Sequence, residues 1–249
     1  TPGASPTVTA VRKGDDLVIS GEIPSVPWAP IIAGVVVPVR CDDDSVAVVV
    51  APVDATGVEA VPVAVTGRGA EAAVRFTDVH IGAEDVLPGD GEEIAAWTRR
   101  RIRIALAAVQ LGVCEETLRA TAKYPSEGVQ FGRPLSTNQA VAVRAADAYL
   151  DTEAIRLTVR KAAWSIDVGR EDEAESAALV AKWWASRGGV RVGLTGQHLH
   201  GGIGADIDYP IHRYFLWGRQ LAFTFGGADA TAAALGDVLD TAPPIGAAG

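Results

Sequence analysis

The sequence of 249 residues contains no methionine and only two cysteines, Cys41 and Cys114. The two cysteines lie far apart and belong to no Cys-x-x-Cys motif, so we expect neither a disulfide scaffold nor a zinc ribbon. Because an initiator methionine is missing, we expect a trimmed or partial chain. The start of the chain has no recognisable signal peptide, and a cytoplasmic location is the default expectation.

Basic charge is also scarce, since 22 lysine and arginine residues stand against 31 acidic residues and the net charge is −9. An acidic chain is not attracted to nucleic acid or to an anionic membrane surface, so we expect neither as a partner. Charges, glycine or proline interrupt each apolar run before it is long enough to span a bilayer. Hydrophobic residues nevertheless make up 48% of the chain, which is enough for one large or two modest cores.

The first 90 residues have the pattern of β-strands separated by turns. VTAVRKGDDLVISGE places apolar runs on both sides of the polar turn KGDD, which is typical of a hairpin. The runs IIAGVVVPV, VAVVVAPV and AAVRFTDVHI are rich in valine and isoleucine, and glycine, proline and aspartate separate them. We therefore predict a β-sandwich or barrel-like domain at residues 1–90.

From residue 91 onward the apolar residues recur at helical spacing. Ser136 and Gln139 resemble a capping box before one of the helices. Long alanine-rich helices joined by short loops are typical of an antiparallel four-helix bundle, so the predicted fold class is α+β with a bundle at 91–249. The helices are expected at about 92–124, 137–169, 173–199 and 210–225, with a shorter one at 228–240.

The segment HLHGGIGADIDYP contains two of the four histidines. His198 and His200 are two residues apart, so they diverge on a helix, and no third residue has the spacing of a zinc ligand; we expect no metal site. Gly201, Gly202 and Gly204 either end the helix through a left-handed cap or let the backbone approach a ligand phosphate. The spacing alone leaves both interpretations open.

Two further motifs are equally ambiguous. QFGRP makes a good turn between two helices, and its Phe131 is either a core residue or part of a binding loop. The arginine cluster at 99–103 is typical of a solvated helix face and less often holds an anionic ligand. The sequence has no Ser-His-Asp order, phosphate-binding loop or His-Glu-x-x-His motif.

Taken in order, these segments resemble the acyl-CoA dehydrogenase family. The resemblance implies a middle β domain at 1–90 and a C-terminal helical domain at 91–249, while the N-terminal helical domain of the family has no counterpart. The chain is therefore either a fragment or a form that has lost that domain. The segments that carry the resemblance are TPGAS, AVRKGDDLVISGE, FTDVHIGAEDVL, RIALAAVQLGVCEETLRATAKY, QFGRPLSTNQAVAVRAADAYLDTEAIRL, ALVAKWWAS and HLHGGIGADIDYPIHRYF.

The resemblance also implies an FAD cofactor and an acyl-CoA substrate. In the family a carboxylate removes the α-proton while flavin N5 takes the β-hydride, and this weakly acidic proton needs a positioned base. The thioester oxygen needs donors, and the flavin must be shielded from water. Arg103 matches the helix arginine that lies near the acyl-CoA, so the resemblance assigns it to substrate binding.

Five residues match the cofactor-binding segments of the family. Gln130 and Phe131 match a loop that reaches the FAD of a neighbouring subunit. His198, Gly201 and Gly202 match a Q-x-x-G-G segment that approaches the FAD, with histidine in place of glutamine.

Four positions depart from the family pattern. Gly128 stands where an arginine usually pairs with the FAD phosphate, and Pro27 offers neither an N–H nor a hydroxyl to flavin N5. The catalytic glutamate of the family falls near Gly226, and its alternative position falls near Ile102. Since neither residue is a carboxylate, no catalytic residue is assigned to this chain.

Three functions follow from this pattern. The chain resembles the non-catalytic subunit of heteromeric actinobacterial acyl-CoA dehydrogenases that degrade steroids or cholesterol, which implies a heterotetramer, a partner subunit carrying the catalytic glutamate, and a shared FAD. An active homo-oligomer whose base is Asp229, Glu22 or part of an absent domain is the first alternative. A scaffold that uses neither flavin nor CoA is the second.

Overall fold

The computed structural model describes residues 6–67, 69–130 and 132–241, and for residues 125, 127, 129, 130, 172 and 241 it describes the backbone only. The described residues divide into two units, one that reaches up to Arg99 and one that starts at Arg100. The boundary therefore lies inside the first long helix. The sequence analysis placed it at residue 90, where that helix begins.

Six strands form one open mixed sheet in the first unit, in the order β4-β3-β1-β2-β6-β5. The predicted hairpin is confirmed, because Lys13 pairs with Asp16 across Gly14 and Asp15. β1 also pairs in parallel with β3, and with β4 and β5 at its edges the sheet is not a closed barrel. The strands are β1 (Val8–Lys13), β2 (Asp16–Pro27), β3 (Gly34–Cys41), β4 (Val46–Pro52), β5 (Val58–Val63) and β6 (Glu71–Ile81).

Alternating side chains supply the core of this unit. β3 buries Val35, Val37, Val39 and Cys41, and the residues between them are more exposed, as the two-residue period of a strand requires. β5 was not predicted, because Pro62 weakens its strand pattern. Proline cannot donate to a ladder and is tolerated at a sheet edge, which is where β5 lies.

The second part of the chain is helical and ends as predicted with a short fifth helix. Asn138, not Ser136, caps α2: its side-chain oxygen accepts from the Ala140 N–H at 3.0 Å. Ser136 lies in a 3-10 turn at Leu135–Thr137, so the predicted capping box is wrong. The helices are α1 (Gly91–Glu127), α2 (Gln139–Asp167), α3 (Glu171–His200), α4 (Ile211–Phe223) and α5 (Ala228–Thr241), and a two-residue ladder joins β7 (Val129–Gln130) to β8 (Arg133–Pro134).

From Arg100 onward, α1 packs with α2, α3 and α4 as the predicted four-helix bundle, and the α+β class is confirmed. α1 runs parallel to α3, whereas α2 and α4 each run antiparallel to α3, which is an up-down-up-down arrangement. The contacts that fix these directions are the pairs Arg100–Glu171 and Arg103–Glu175, then Lys161–Glu173 and Arg191–Asp151, then Gly196 beside Ile211 and Gly193 beside Phe215.

Candidate functional site

The end of α3 holds the glycine segment that the sequence analysis singled out. Gly201 ends the helix with φ 63° and ψ −143°, a combination that only glycine adopts readily. Its positive φ agrees with the predicted cap, although its ψ lies outside the left-handed helical region. A Cβ on Gly201 or Gly202 would meet no atom within 4 Å. The backbone of this turn is therefore open to a ligand.

The two histidines beside this turn point to different environments, as expected from their spacing. His198 is exposed and His200 is buried. The His200 ring stacks on Tyr124 at 4.7 Å between centroids and lies 5.4 Å from Tyr209. Its Nδ1 lies 2.7 Å from the Gly196 carbonyl, which can only accept, so Nδ1 carries the hydrogen. Nε2 has no partner among the described residues.

Tyr124 and Tyr209 also line an open groove of about 450 Å³ between α1 and the start of α4. Arg119 and Lys123 supply positive charge to this groove, and Glu116 pairs with Arg119. Sequence reasoning missed both tyrosines as site residues. The available signal was the dipeptide Lys-Tyr at the end of α1 together with Asp-Tyr-Pro ahead of α4.

The loop predicted to reach FAD follows α1. Gln130 pairs with Arg133 in the short ladder, while the side chain of Gln130 and the whole of Phe131 lie outside the described residues. The Gly128 carbonyl accepts from the Leu135 N–H at 3.0 Å, which ties the end of the loop to its start. The assignment of Gln130 and Phe131 to the cofactor stays a prediction.

Arg103 lies inside the bundle, where it is 2% exposed. Its guanidinium pairs with the carboxylate of Glu175 on α3, and Lys182, about two turns further along α3, is 1% exposed. Burial and the repulsion of Arg103 lower the pKa of Lys182 to about 8. The contact of Arg103 with an acyl-CoA stays a prediction, since the partner that the described residues give it is Glu175.

Lys182 holds the turn after α4. Its three N–H groups are shared among four acceptors, which are the carbonyls of Gly226 at 2.9 Å, Ala222 at 3.2 Å and Leu221 at 3.3 Å and the Ser186 hydroxyl at 2.7 Å. A cation at the C-terminus of a helix is favourable because the free carbonyls carry partial negative charge.

This turn is where the family resemblance places a catalytic glutamate. Phe225 has φ 60° and Gly226 has φ 102°, so the backbone at both positions lies in the region that favours glycine. Residues 224–228 read Thr-Phe-Gly-Gly-Ala and hold no acid. Asp229, the first acid after them, is exposed at the start of α5. The second position for a base is Ile102, an apolar side chain on α1.

The first unit contributes the strand end that the resemblance places against a flavin. The Ser25 hydroxyl donates to the carboxylate of Glu71, and Pro27 stands opposite Glu71 in the ladder. Glu22, the other candidate base, is exposed and pairs with Arg75 at 2.7 Å. A base for a weakly acidic proton works in a site shielded from water, which an exposed, salt-bridged carboxylate does not provide.

No group of three or more histidine, cysteine, aspartate or glutamate side chains stands close enough to hold a metal ion within residues 6–67, 69–130 and 132–241. Over the same ranges, no helix combines the length and the apolar character needed to cross a membrane.

Comparison with protein families agrees with this architecture. The model for "Acyl-CoA dehydrogenase, C-terminal domain" matches residues 89–237. The chain belongs to the acyl-CoA dehydrogenase family, whose members generally bind FAD.

Individual relatives extend the similarity over nearly the whole chain. Acyl-CoA dehydrogenase FadE27 of Mycobacterium tuberculosis is 34% identical over 242 residues, which cover 95% of this chain and 64% of FadE27. The ChsE4-ChsE5 complex from Mycobacterium tuberculosis has a chain with a TM-score of 0.90 and 34% identity, covering 97% of this chain and 64% of that one. A chain of the Tcur3481-Tcur3483 steroid ACAD G363A variant has a TM-score of 0.88 and 41% identity, covering 95% and 63%. The chain thus spans less than two thirds of the length of these relatives.

Proposed function

We propose that this chain is a cytoplasmic, non-catalytic subunit of a heteromeric acyl-CoA dehydrogenase that desaturates the α,β bond of an acyl-CoA, with a steroid-derived acyl group as the favoured substrate class. A partner subunit supplies the catalytic glutamate, and this chain completes the partner's FAD site. Two similar solved structures support the assembly, since one is a complex of two named proteins and the other is named a steroid ACAD.

The observation that carries this proposal is the turn at Phe225 and Gly226. In the family the base that removes the α-proton is a carboxylate within reach of the substrate, and residues 224–228 contain no carboxylate. The Gly226 carbonyl is instead bound to buried Lys182 at 2.9 Å. A positive charge and a glycine backbone at this point cannot perform the proton transfer.

The residues present fit one end of FAD better than the other. Gly201, whose N–H donates to the His198 carbonyl, and Gly202 leave room for a phosphate or ribose to approach the backbone, and the exposed His198 offers it a polar ring. At the end of β2, Pro27 has no N–H for the flavin ring. When bound, FAD supplies the hydride acceptor. In this proposal Gly201, Gly202 and His198 bind its outer part, and the partner subunit positions its ring.

The test is the ratio of flavin to protein absorbance for this chain purified alone and after co-expression with a full-length acyl-CoA dehydrogenase of the same genome that carries the catalytic glutamate. We expect a colourless chain alone, and a yellow complex that co-purifies and oxidises acyl-CoA. Replacing the partner's glutamate by glutamine should abolish turnover while the flavin stays bound.

Two results would contradict the proposal. A yellow chain that turns over substrate without a partner would mean that the chain has its own base, and Glu22→Gln and Asp229→Asn would then locate it. A chain that remains colourless with every acyl-CoA dehydrogenase of its genome would favour a scaffold role.

A further inference from the structure

The groove between the end of α1 and the start of α4 has the size and the side chains of a small-molecule site. Its volume of about 450 Å³ lies within the range of roughly 300–1,000 Å³ that is usual for such sites. Arg119 and Lys123 line it together with Tyr124, Tyr209 and Tyr214, and we call it the tyrosine groove. Among the described residues, none that is assigned to FAD or to acyl-CoA lines the tyrosine groove.

The charge of the tyrosine groove is opposite to that of the whole chain. The chain has a net charge of −9, whereas the described residues that line the groove include two cations and a single acid, Glu116. The Glu116 carboxylate accepts from the Arg119 Nε–H at 2.8 Å, so Lys123 leaves the lining with a net positive charge. A positive concave surface on an acidic protein favours an anionic ligand.

The start of α4 adds to this positive charge. Pro210 and Ile211 line the groove, and the first N–H groups of a helix have no partner within the helix and carry partial positive charge. Pro210 provides no side-chain cap for them, and the first turn of α4 contains no acid. Asp206 and Asp208 precede the helix but do not line the groove, and the Asp206 carboxylate accepts from the Asp208 N–H at 2.9 Å.

The tyrosines indicate that the anion is attached to a planar group. The rings of Tyr124 and Tyr209 lie 6.4 Å apart between centroids at an angle of 65°, and His200 stacks on Tyr124 at 4.7 Å, which holds the Tyr124 ring in place. Aromatic rings stack on nucleobases of every kind, and a phenol hydroxyl can donate to a phosphate oxygen. A phosphate joined to a base therefore fits both the rings and the charges.

We propose that the tyrosine groove binds a nucleoside monophosphate, with the phosphate at Lys123, Arg119 and the start of α4 and the base against the tyrosine rings. The site uses no flavin and no unlike subunit, so it stands apart from the proposed function. Because stacking does not distinguish between bases, adenosine 5′-monophosphate (AMP) serves as the probe.

Isothermal titration calorimetry of the 249-residue chain with AMP tests the site. We expect one AMP per chain with a Kd below about 1 mM, and binding at least about tenfold weaker for inorganic phosphate and for adenosine, since each has only half of the contacts. Lys123→Gln should weaken AMP binding about tenfold, because it removes a charged partner of the phosphate. The matched control is Lys13→Gln, at an exposed lysine of β1, which should leave the affinity unchanged.

Three further variants locate the bound AMP. Glu116→Gln should tighten binding about twofold to threefold, because it removes the acid from the lining and releases Arg119. Ala120→Trp fills the groove at unchanged charge and should abolish measurable binding. His198→Ala should leave the affinity unchanged, since His198 belongs to the segment proposed for FAD. Far-UV circular dichroism shows that each variant is folded.

Three outcomes would overturn the inference. The first is the absence of any binding at about 5 mM AMP, well above the expected Kd. The second is inorganic phosphate that binds as tightly as AMP, which would mean that the rings bind no base. The third is AMP binding that His198→Ala abolishes while Lys123→Gln and Ala120→Trp retain it, which would assign the nucleotide to the cofactor segment.

Discussion

Replacing Lys182 by methionine tests how the turn after α4 is held. The lysine is 1% exposed, and its ammonium donates to three carbonyls at the end of the helix and to the Ser186 hydroxyl. Methionine has a similar length and no donor. In Lys182→Met the carbonyls of Leu221, Ala222 and Gly226 therefore lose their charged partner inside the protein.

The magnitude follows from two opposing effects. Hydrogen bonds to a charged group contribute about 1.5–3 kcal/mol each, and buried acceptors left without a partner add to the loss. The removal of a buried charge that lies near Arg103 offsets part of this. We expect the free energy of unfolding of Lys182→Met to fall by about 2–4 kcal/mol, which lowers Tm by on the order of 10 °C.

The pKa of Lys182 gives this prediction a pH dependence. Its folded-state pKa is lowered to about 8, whereas an unfolded lysine titrates near about 10.4. Between these values the unfolded chain binds the proton and the folded chain does not, so the contribution of Lys182 to stability rises with pH. The slope is at most about 1.4 kcal/mol per pH unit, and the contribution is constant below the folded pKa.

The assay is urea unfolding of the wild-type chain and of Lys182→Met at several pH values, followed by circular dichroism at 222 nm. The stability difference between the two proteins should grow as the pH rises above 8, because other titrating groups cancel in the difference. Lys13→Met, at an exposed position of β1, is the control and should change stability by less than about 0.5 kcal/mol. A variant as stable as wild type, or a difference that stays constant up to pH 10, would refute the reasoning.

Three further predictions concern the bundle. Gly201→Ala should lower the free energy of unfolding by about 1–3 kcal/mol in thermal unfolding, because alanine is strained at the backbone angles of Gly201. Gly202→Ala should leave Tm unchanged and lower the flavin absorbance of the co-expressed complex. A flavin content equal to that of the wild-type complex would argue against cofactor contact at Gly202. Glu175→Gln should cost about 3–5 kcal/mol in urea unfolding by leaving the buried charge of Arg103 unpaired, and adding Arg103→Met should recover part of the loss. Burial raises the pKa of the Cys114 thiol to about 12, so it should not react with a disulfide reagent at pH 8 until the chain is unfolded, and rapid reaction of the native protein would contradict this.

Local pattern predicted most of the secondary structure. The hairpin at Lys13 and Asp16 and the ends of α3 and α4 lie at or close to the predicted residues, because valine alternation, turn glycines and helical spacing act over a few residues. The errors have two causes: two nearby residues can both cap a helix, and a strand can pair with a segment distant in sequence. Asn138 is a better cap than Ser136 at that position, and the parallel pairing of β1 with β3 joins segments that no short-range signal connects.

The candidate site was less predictable because its properties depend on tertiary contacts. No spacing rule indicates that Arg103 pairs with Glu175 seventy-two positions later, or that His200 stacks on Tyr124. The glycine that ends α3, Gly201, was found from sequence, since its positive φ favours glycine there. Sequence also indicated that position 226 has no carboxylate, but not that a lysine is bonded to its carbonyl.

The turn at Phe225 and Gly226 has an evolutionary consequence. Glycine and glutamate codons can differ by one base, so mutation readily offers an acid at position 226. The backbone there has φ 102°, however, so a glutamate at position 226 would have a strained backbone conformation whether or not it assisted a reaction. Selection would meet a stability loss first and an advantage only after further changes in the turn. Under the proposed function, a lineage that carries this turn would therefore continue to depend on the acid of a partner subunit.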